Sequence, residues 1–395
     1  MPFRTTVLLL AGAALALPAK AVFAQETDCS KARTTIPPIN DAKLPDPFTF
    51  VDGSKVSTKN DWVCRATEIQ NIMEQYELGD FPPPPDRVEA SLSGVNLNVK
   101  VTVGSASINM SAAIKKPSGN GSFPAIIGIG GVSIPVPSTV AQLTFDNDAF
   151  AAQNGQSSRS QGLFYNLFGR QHSAGALTAW AWGVGRIIDG LEQLGAAHTG
   201  IDVRRLGVTG CSRNGKGAFV VGALEKRIAL TIPQESGSGG AACWRISDSE
   251  KNKGKNIQTS GQIVEENVWF SPSFNTWSTR SSQIPEDHHL LAGLVAPRGL
   301  YVAENDIEWL GPVSTTGCMK AGRLIYQALG VPQNMGFSLI GGHNHCQFPS
   351  GQNDELTQYI NYFLLGSTTK PSPLERSIVN VNVRDYASWT APMLS

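Results

Sequence analysis

The segment from residue 208 to residue 218 constrains the fold of this chain more than any other. It reads Val-Thr-Gly-Cys-Ser-Arg-Asn-Gly-Lys-Gly-Ala. An apolar run typical of a short buried strand leads into it, and residues 216–224 carry small and apolar side chains at helical spacing. Gly210 and Gly215 flank Ser212, so the backbone can turn sharply without a Cβ clash. The sequence therefore predicts a strand, a tight turn that presents a serine, and a helix.

This pattern is typical of the nucleophile elbow of α/β-hydrolases. The start of the helix directs free N–H groups and a positive dipole end toward the oxygen that becomes negatively charged during acyl transfer. The spacing differs from the usual Gly-X-Ser-X-Gly, because both Arg213 and Asn214 separate Ser212 from the second glycine. The alternative interpretation is a surface serine on an ordinary glycine turn.

Hydrophobic periodicity elsewhere predicts an α/β fold. Residues 95–103 alternate as a half-buried strand does. Residues 124–130 are apolar throughout, as a buried parallel strand is, and end in a glycine pair that could form part of an oxyanion hole or an ordinary turn. Residues 140–172 are polar and predict a long loop. The other predicted elements are helices at 61–76, with Asp61 as N-cap, and 173–194, and strands at 202–210, 228–233, 299–303 and 337–340. We expect a three-layer α/β/α sandwich of the α/β-hydrolase type.

The first 24 residues predict a secretory signal peptide. Arg4 supplies the positive charge, residues 7–17 are apolar, and residues 22–24 fit the small-residue cleavage rule. The apolar run is too short to span a bilayer. The formal net charge of zero gives no indication of nucleic-acid or anionic membrane partners. We therefore expect a secreted, extracellular, monomeric protein whose residues 25–395 form one catalytic domain.

The cysteines support export. All six lie after the signal peptide, and an even number in an exported chain favours disulfides, for which 15 pairings are possible. There is no Cys-X-X-Cys pair, so the sequence predicts no metal site. Asn109 and Asn120 begin Asn-X-Ser sequons, which are possible glycosylation sites.

Two positions compete for the acid of a catalytic triad. Glu235 follows the predicted strand at 228–233 and precedes a glycine-rich segment, which places it where catalytic groups gather in open α/β sheets. Glu304 and Asp306 follow the strand at 299–303. All three precede the late histidines, as the usual order of serine, acid and histidine requires. Spacing alone does not choose between them.

The general base is expected near the end of the chain. Residues 341–346 read Gly-Gly-His-Asn-His-Cys, and a late histidine on a flexible glycine loop is what the fold requires. His343 and His345 both meet this requirement. The other four histidines, which we expect on the surface or in loops, are His172, His198, His288 and His289.

Three motifs together resemble the fungal-type glucuronoyl esterases of carbohydrate esterase family 15. They are Gly-Cys-Ser-Arg-Asn-Gly-Lys at 210–216, Pro-Gln-Glu-Ser-Gly at 233–237 and the His-Asn-His-Cys ending at 343–346. The resemblance covers nearly the whole mature chain. It implies Ser212 as nucleophile, His345 as general base and acid, Glu235 as the residue that orients the histidine, and Arg213 as an oxyanion-hole donor. A structural arginine paired with an acid remains the alternative for Arg213.

The resemblance also implies the disulfides, the sugar contacts and the reaction. The pairs are Cys29–Cys64, Cys211–Cys346 and Cys243–Cys318, and no cofactor is needed. The residues expected to contact the sugar are Lys216, Gln258, Glu266 and Trp309. The implied reaction is hydrolysis of esters between 4-O-methyl-D-glucuronic acid side chains of xylan and lignin alcohols. The expected partners are therefore glucuronoxylan and lignin–carbohydrate complexes.

Two alternative functions share parts of this pattern. An acetyl-xylan or feruloyl esterase would use the same triad without sugar contacts arranged around a uronate. A non-catalytic carbohydrate-binding protein on a hydrolase fold would usually lack a triad member. Serine, acid and histidine are all present here, which argues against the second alternative.

Overall fold

The computed structural model describes residues 29–395, so the predicted signal peptide lies outside the described residues. Within this range, ten strands form a single sheet. They are β1 (Arg87–Ser93), β2 (Asn96–Val103), β3 (Ala106–Lys115), β4 (Phe123–Ile129), β5 (Ala141–Phe145), β6 (Ile201–Cys211), β7 (Ile228–Gln234), β8 (Gly299–Glu304), β9 (Met335–Leu339) and β10 (Leu374–Ser377).

The sheet combines an antiparallel part and a parallel part. β1, β2 and β3 pair antiparallel, and β3 also pairs antiparallel with β5. The remaining strands are parallel, in the spatial order β5-β4-β6-β7-β8-β9-β10. Because the carboxyl ends of parallel strands meet at one edge, the residues that follow β6, β7, β8 and β9 gather there.

The helices of the described residues connect these strands. They are α1 (Lys59–Met73), α2 (Asn147–Phe150), α3 (Leu163–Phe168), α4 (Ala176–Leu194), α5 (Ala196–Thr199), α6 (Arg213–Leu224), α7 (Trp244–Asn252), α8 (Ser260–Glu266), α9 (Phe274–Trp277), α10 (His288–Val295), α11 (Pro312–Ala328) and α12 (Asn353–Phe363). None of them has both the length and the apolar composition needed to cross a membrane.

Helices cover both faces of the sheet. The larger hydrophobic core contains buried side chains of α4, α6, α10 and α11 together with Ile127 of β4. The smaller core contains Leu356 and Ile360 of α12 together with Ile126, the neighbouring residue of β4. Adjacent residues of one strand are thus buried on opposite faces, which explains why central strands read as continuous apolar runs. The structure confirms the predicted three-layer α/β/α sandwich.

Two local predictions are wrong. Asp61 is not the N-cap of α1: Thr58 is, and Asp61 is the third helical residue of a capping box in which each side chain bonds the other's backbone N–H. Residues 140–172 are not one long loop, because β5, α2 and α3 lie within them. Buried Phe145 and Phe150 hold β5 and α2 against the core.

His288 and His289 are also not surface residues. Both begin α10 and are buried. His288 hydrogen-bonds the Gly240 carbonyl at 2.6 Å and the Glu77 carboxylate at 2.8 Å, and His289 bonds the Pro45 carbonyl at 2.8 Å. These partners satisfy both ring nitrogens of His288 and Nε2 of His289 inside the core.

Three disulfides connect distant parts of the chain. Cys29–Cys64 joins the N-terminal segment to α1, Cys243–Cys318 joins the residue before α7 to α11, and Cys211–Cys346 joins the end of β6 to the loop after β9. They are the pairs that the family resemblance implies. The third lies at the carboxyl edge of the sheet.

Candidate active site

The turn between β6 and α6 presents Ser212 at the carboxyl edge of the sheet. Its backbone has φ 60° and ψ −125°, a strained conformation for a residue with a side chain. A Cβ on Gly210 would lie 2.4 Å from the Asn214 carbonyl oxygen, and one on Gly215 would lie 2.5 Å from that of Gln234. Both glycines are therefore required by close backbone approaches. The predicted strand, turn and helix are confirmed.

The first turn of α6 leaves N–H groups without helical partners. Ser212 occupies the N-cap position, but its side chain makes no capping hydrogen bond. The first intrahelical bond runs from the Lys216 N–H to the Ser212 carbonyl, at 3.0 Å. The N–H groups of Arg213 and Asn214 precede this bond, so they are available to a negatively charged oxygen near Ser212.

The first glycine of the pair after β4 does not supply an oxyanion donor. The Gly130 N–H donates to the Phe145 carbonyl at 3.0 Å, so it is not available to an oxyanion. Instead, Gly130 packs on Asn214, because a Cβ here would lie 2.5 Å from the Asn214 amide nitrogen. This contact supports the first turn of α6.

Glu235 is the acid that contacts the late histidines. It follows β7 directly, and its N–H donates to the Ala303 carbonyl of β8 at 2.7 Å. Its buried carboxylate lies 2.7 Å from His345 Nδ1 and 3.1 Å from His343 Nε2, and accepts from the Cys346 N–H at 2.9 Å. Burial alone would raise the pKa of Glu235, but the bonds from His345 and Cys346 outweigh it and hold the pKa below its ordinary value.

The two histidines bind Glu235 through different nitrogens. His345 uses Nδ1, and its Nε2 has no hydrogen-bond partner within residues 29–395. His343 uses Nε2, and its side chain is 7% exposed against 28% for His345. A triad needs Nδ1 on the acid and Nε2 free for the nucleophile. His345 has this arrangement, whereas His343 is a buried second partner of the carboxylate.

The competing acids lie elsewhere. Glu304 is buried and accepts from the N–H and hydroxyl of Ser236 at 2.8 and 2.9 Å. Burial raises the pKa of Glu304 to about 7. Asp306 is exposed and packs on Gly341. Within the described residues, neither carboxylate bonds a histidine.

The Cys211–Cys346 disulfide brings the nucleophile and the base together. Its cysteines directly precede Ser212 and directly follow His345, and their Cα atoms are 5.7 Å apart. Both sulfurs and a ring nitrogen of His345 lie within 4.8 Å of one another. Because both sulfurs are consumed in the bond, this cluster is not a thiolate metal site.

Loss of this disulfide is expected to reduce activity before it unfolds the protein. The bond closes a loop of 135 residues, so a Cys211→Ala/Cys346→Ala variant should lose up to about 5 kcal/mol of stability in the chain-entropy model. Turnover and melting temperature would be measured on the same samples. The matched control is Cys29→Ala/Cys64→Ala, which should lower the melting temperature with little change in turnover per folded molecule. Unchanged turnover after verified loss of the Cys211–Cys346 bond would contradict this prediction.

The four residues expected to contact a sugar gather beside this centre. Lys216, in α6, is buried, and its ammonium donates to a backbone carbonyl at 2.6 Å. Gln258 donates to the Glu266 carboxylate at 2.8 Å, and its N–H bonds the Trp309 carbonyl at 3.3 Å. The Trp309 ring meets the His345 ring edge to face, with centres 4.8 Å apart. Together they supply donors, acceptors and an aromatic wall.

The charge state of Lys216 depends on its surroundings. Burial lowers its pKa to about 8, and Arg213 acts in the same direction. The carboxylates of Glu304 and Glu266 oppose this shift. The lysine is therefore mostly protonated at neutral pH and can donate to a hydroxyl.

Sequence reasoning did not identify Trp269 as part of the site. It lies in a short apolar stretch at residues 268–270, which is typical of a core position, and it is buried. Its ring centre is nevertheless 5.5 Å from the Arg213 guanidinium and 5.5 Å from the Lys216 ammonium. Arg213 makes no hydrogen bond or ion pair with any residue from 29 to 395, which argues against a structural arginine paired with an acid.

Comparison with known proteins gives one consistent family. The model described as "Glucuronyl esterase, fungi" matches residues 99–330. A curated protein of Thermothelomyces thermophilus, named 4-O-methyl-glucuronoyl methylesterase, is 64% identical over 389 residues, which cover 98% of each chain. A Neurospora crassa protein of the same name is 63% identical over 99% of each chain.

A solved structure gives the same result. A glucuronoyl esterase from Sporotrichum thermophile, a serine-to-alanine mutant in complex with methyl 4-O-methyl-β-D-glucopyranuronate, is 66% identical to this chain. It superposes with a TM-score of 0.91 over 92% of this chain and 99% of that chain.

Proposed function

Because the chain belongs to the fungal glucuronyl esterase family, we propose that it is a carboxylic ester hydrolase that cleaves esters of 4-O-methyl-D-glucuronic acid. The observation that carries the proposal is the free Nε2 of His345. Glu235 holds this ring, and the disulfide between Cys346 and Cys211 joins the residue after His345 to the residue before Ser212. The four residues expected to contact a sugar lie at the same edge of the sheet.

The proposed reaction begins with proton transfer from the Ser212 hydroxyl to His345 Nε2. The serine oxygen attacks the carboxyl carbon of the uronate ester, and Glu235 stabilises the imidazolium and keeps its tautomer. The oxyanion is stabilised by the Arg213 side chain and the N–H groups of the first turn of α6. His345 then donates its proton to the leaving alcohol. In the second half, His345 Nε2 accepts a proton from water while the water oxygen attacks the acyl-serine. The proton then returns to the Ser212 oxygen as the free uronate leaves.

The proposed sugar site explains why a uronate is the acyl group. Lys216 donates a hydrogen bond to one ring hydroxyl. Glu266 accepts from a neighbouring hydroxyl, and Gln258 donates to another. Trp309 contacts the ring and His345 at the same time. A simple acetyl group has no ring hydroxyls for these side chains to bind, so it would gain nothing from them.

The natural substrate that we propose is the ester between glucuronoxylan side chains and lignin alcohols. In this bond the uronate supplies the acyl group and the lignin supplies the leaving alcohol. The predicted signal peptide at residues 1–24 agrees with an enzyme that meets plant cell wall outside the cell.

A panel of esters tests this proposal. Turnover would be measured with the methyl ester of 4-O-methyl-D-glucuronic acid, with an acetylated xylo-oligosaccharide and with a feruloylated arabinoxylan fragment. We expect selective cleavage of the uronate ester. Cleavage of the acetyl or feruloyl substrate without cleavage of the uronate ester would be consistent with the proposed serine mechanism. It would contradict the proposed substrate. No turnover of any ester would favour a binding protein.

A further inference from the structure

Trp269 is the one aromatic ring in the described residues that faces both cations of the site. The Arg213 guanidinium and the Lys216 ammonium each lie 5.5 Å from its centre. This distance is within the range in which a ring quadrupole attracts a cation. Arg213 is the first residue of α6, and Lys216 follows about one helical turn later. One indole therefore contacts the two residues to which the proposed mechanism gives different tasks.

The indole itself is held from several directions. Its N–H donates to the Gln153 side-chain oxygen at 2.8 Å, and the Gln153 amide donates in turn to Asp148 at 2.8 Å. The Trp269 carbonyl accepts from the Leu177 N–H in the first turn of α4 at 3.1 Å. A Cβ on Gly175 would lie 2.3 Å from this carbonyl oxygen, so the two segments are in direct contact. Trp269 is thus a fixed platform.

Within residues 29–395, Arg213 has no fixed polar partner of its own, and Lys216 has only one. Arg213 is exposed and forms no hydrogen bond or ion pair with the described residues. Lys216 donates to one backbone carbonyl, that of Ser236. A flexible guanidinium that must meet an oxyanion loses rotamer freedom at that moment, unless another contact has already restricted it.

We propose that Trp269 is a positioning residue that holds Arg213 toward the oxyanion and Lys216 toward the uronate hydroxyls through cation–π contacts. This inference deepens the proposed function and rests on it for the role of Lys216. It assigns Trp269 no direct contact with the substrate, because its side chain is buried beneath both cations.

The decisive comparison is between Trp269→Phe and Trp269→Leu. Both variants lose the indole N–H and its bond to Gln153, but only phenylalanine keeps a π face. We expect the leucine variant to lose about 10- to 100-fold in kcat/KM with a glucuronate ester, and the phenylalanine variant to lose less than about tenfold. If the activity falls because Arg213 is no longer positioned, kcat should decrease. If it falls because Lys216 is no longer positioned, KM should increase.

The pH profile gives a second readout that a structural role would not change. The groups facing Lys216 are Glu304 of β8, Glu266 of α8 and Arg213 of α6. Without the ring, the ammonium loses one favourable contact while its burial persists, so its pKa should fall further below about 8. The alkaline limb of kcat/KM should therefore move to lower pH in Trp269→Leu and move less in Trp269→Phe.

Trp182 provides the matched control. It is a buried tryptophan with its own cation, Arg186, 4.3 Å from the ring centre. Trp182→Leu should lower the melting temperature without moving the alkaline limb. If Trp269→Leu does not fold, site-specific replacement of Trp269 by a fluorinated tryptophan, which weakens the quadrupole at nearly unchanged shape, provides the same comparison.

The outcomes separate this inference from the proposed function. Hydrolysis of an aryl acetate requires the oxyanion hole but involves no sugar. Its rate therefore depends on how Trp269 positions Arg213, even if the protein cleaves no uronate ester. A larger loss for leucine than for phenylalanine, with a shift of the alkaline limb on the uronate ester, supports the inference. Equal losses for both variants, or an equal loss for Trp182→Leu, would overturn it.

Discussion

Replacement of Glu235 by glutamine is expected to lower kcat by about 10³- to 10⁴-fold, the effect seen when a triad acid loses its charge. Glu235 accepts from His345, His343 and the Cys346 N–H at once. An amide cannot accept both histidine bonds with the same tautomers, so His345 should present the wrong nitrogen to Ser212. Pre-steady-state and steady-state rates with a glucuronate ester would measure the loss.

Asp306→Asn is the matched control for this substitution. Asp306 was a candidate for the same role, it is exposed, and no histidine of the described residues bonds it. We expect less than about a threefold change in kcat for this variant, as for a surface substitution. A larger loss for Asp306→Asn than for Glu235→Gln would reassign the acid of the triad.

Replacement of Arg213 by methionine is expected to lower kcat by about 10²- to 10³-fold, because removal of one oxyanion donor has an effect of this size. The guanidinium has no acid partner within residues 29–395, so its removal leaves no buried carboxylate uncompensated. The melting temperature should therefore change little, and KM should change less than kcat. Kinetics with a glucuronate ester and thermal denaturation would be measured together.

The control for Arg213 is an arginine that is exposed in the same way but lies outside the candidate site. Arg170 lies in the turn after α3 and is exposed. Arg170→Met removes the same charge from the protein and should leave kcat unchanged. An equal effect of both substitutions would indicate a net-charge effect on substrate binding. It would contradict the assignment of Arg213 to the oxyanion hole.

The elements with strong periodicity were predictable from the sequence. β2 alternates because one of its faces is buried, and β4 is apolar throughout because both are. β5, α2 and α3 were missed because they are four to six residues long and lie in a polar segment. Such short elements are stabilised by tertiary packing, here through Phe145 and Phe150, and not by local propensity.

The candidate site was less accessible to sequence reasoning than the fold. The residues around Ser212 form a local motif, but the choice between Glu235 and Glu304 depends on a loop more than a hundred residues away from Glu235. Burial of His288 likewise depends on Glu77, 211 residues distant. Trp269 gave no signal, because a short apolar stretch is typical of a core position and its contact with Arg213 exists only in the folded chain. Long-range partners of polar groups are what the sequence alone does not contain.

The most direct test compares wild type with Ser212→Ala on the methyl ester of 4-O-methyl-D-glucuronic acid, with release of methanol and free uronate measured together and an aryl acetate assayed in parallel. We expect equal amounts of both products from the wild type, clear preference for the uronate ester, and a loss of about 10⁵-fold or more in kcat for the variant. Turnover by Ser212→Ala within tenfold of the wild type would contradict the assignment of Ser212 as the nucleophile. A wild type that cleaves the acetate and ignores the uronate ester would contradict the substrate.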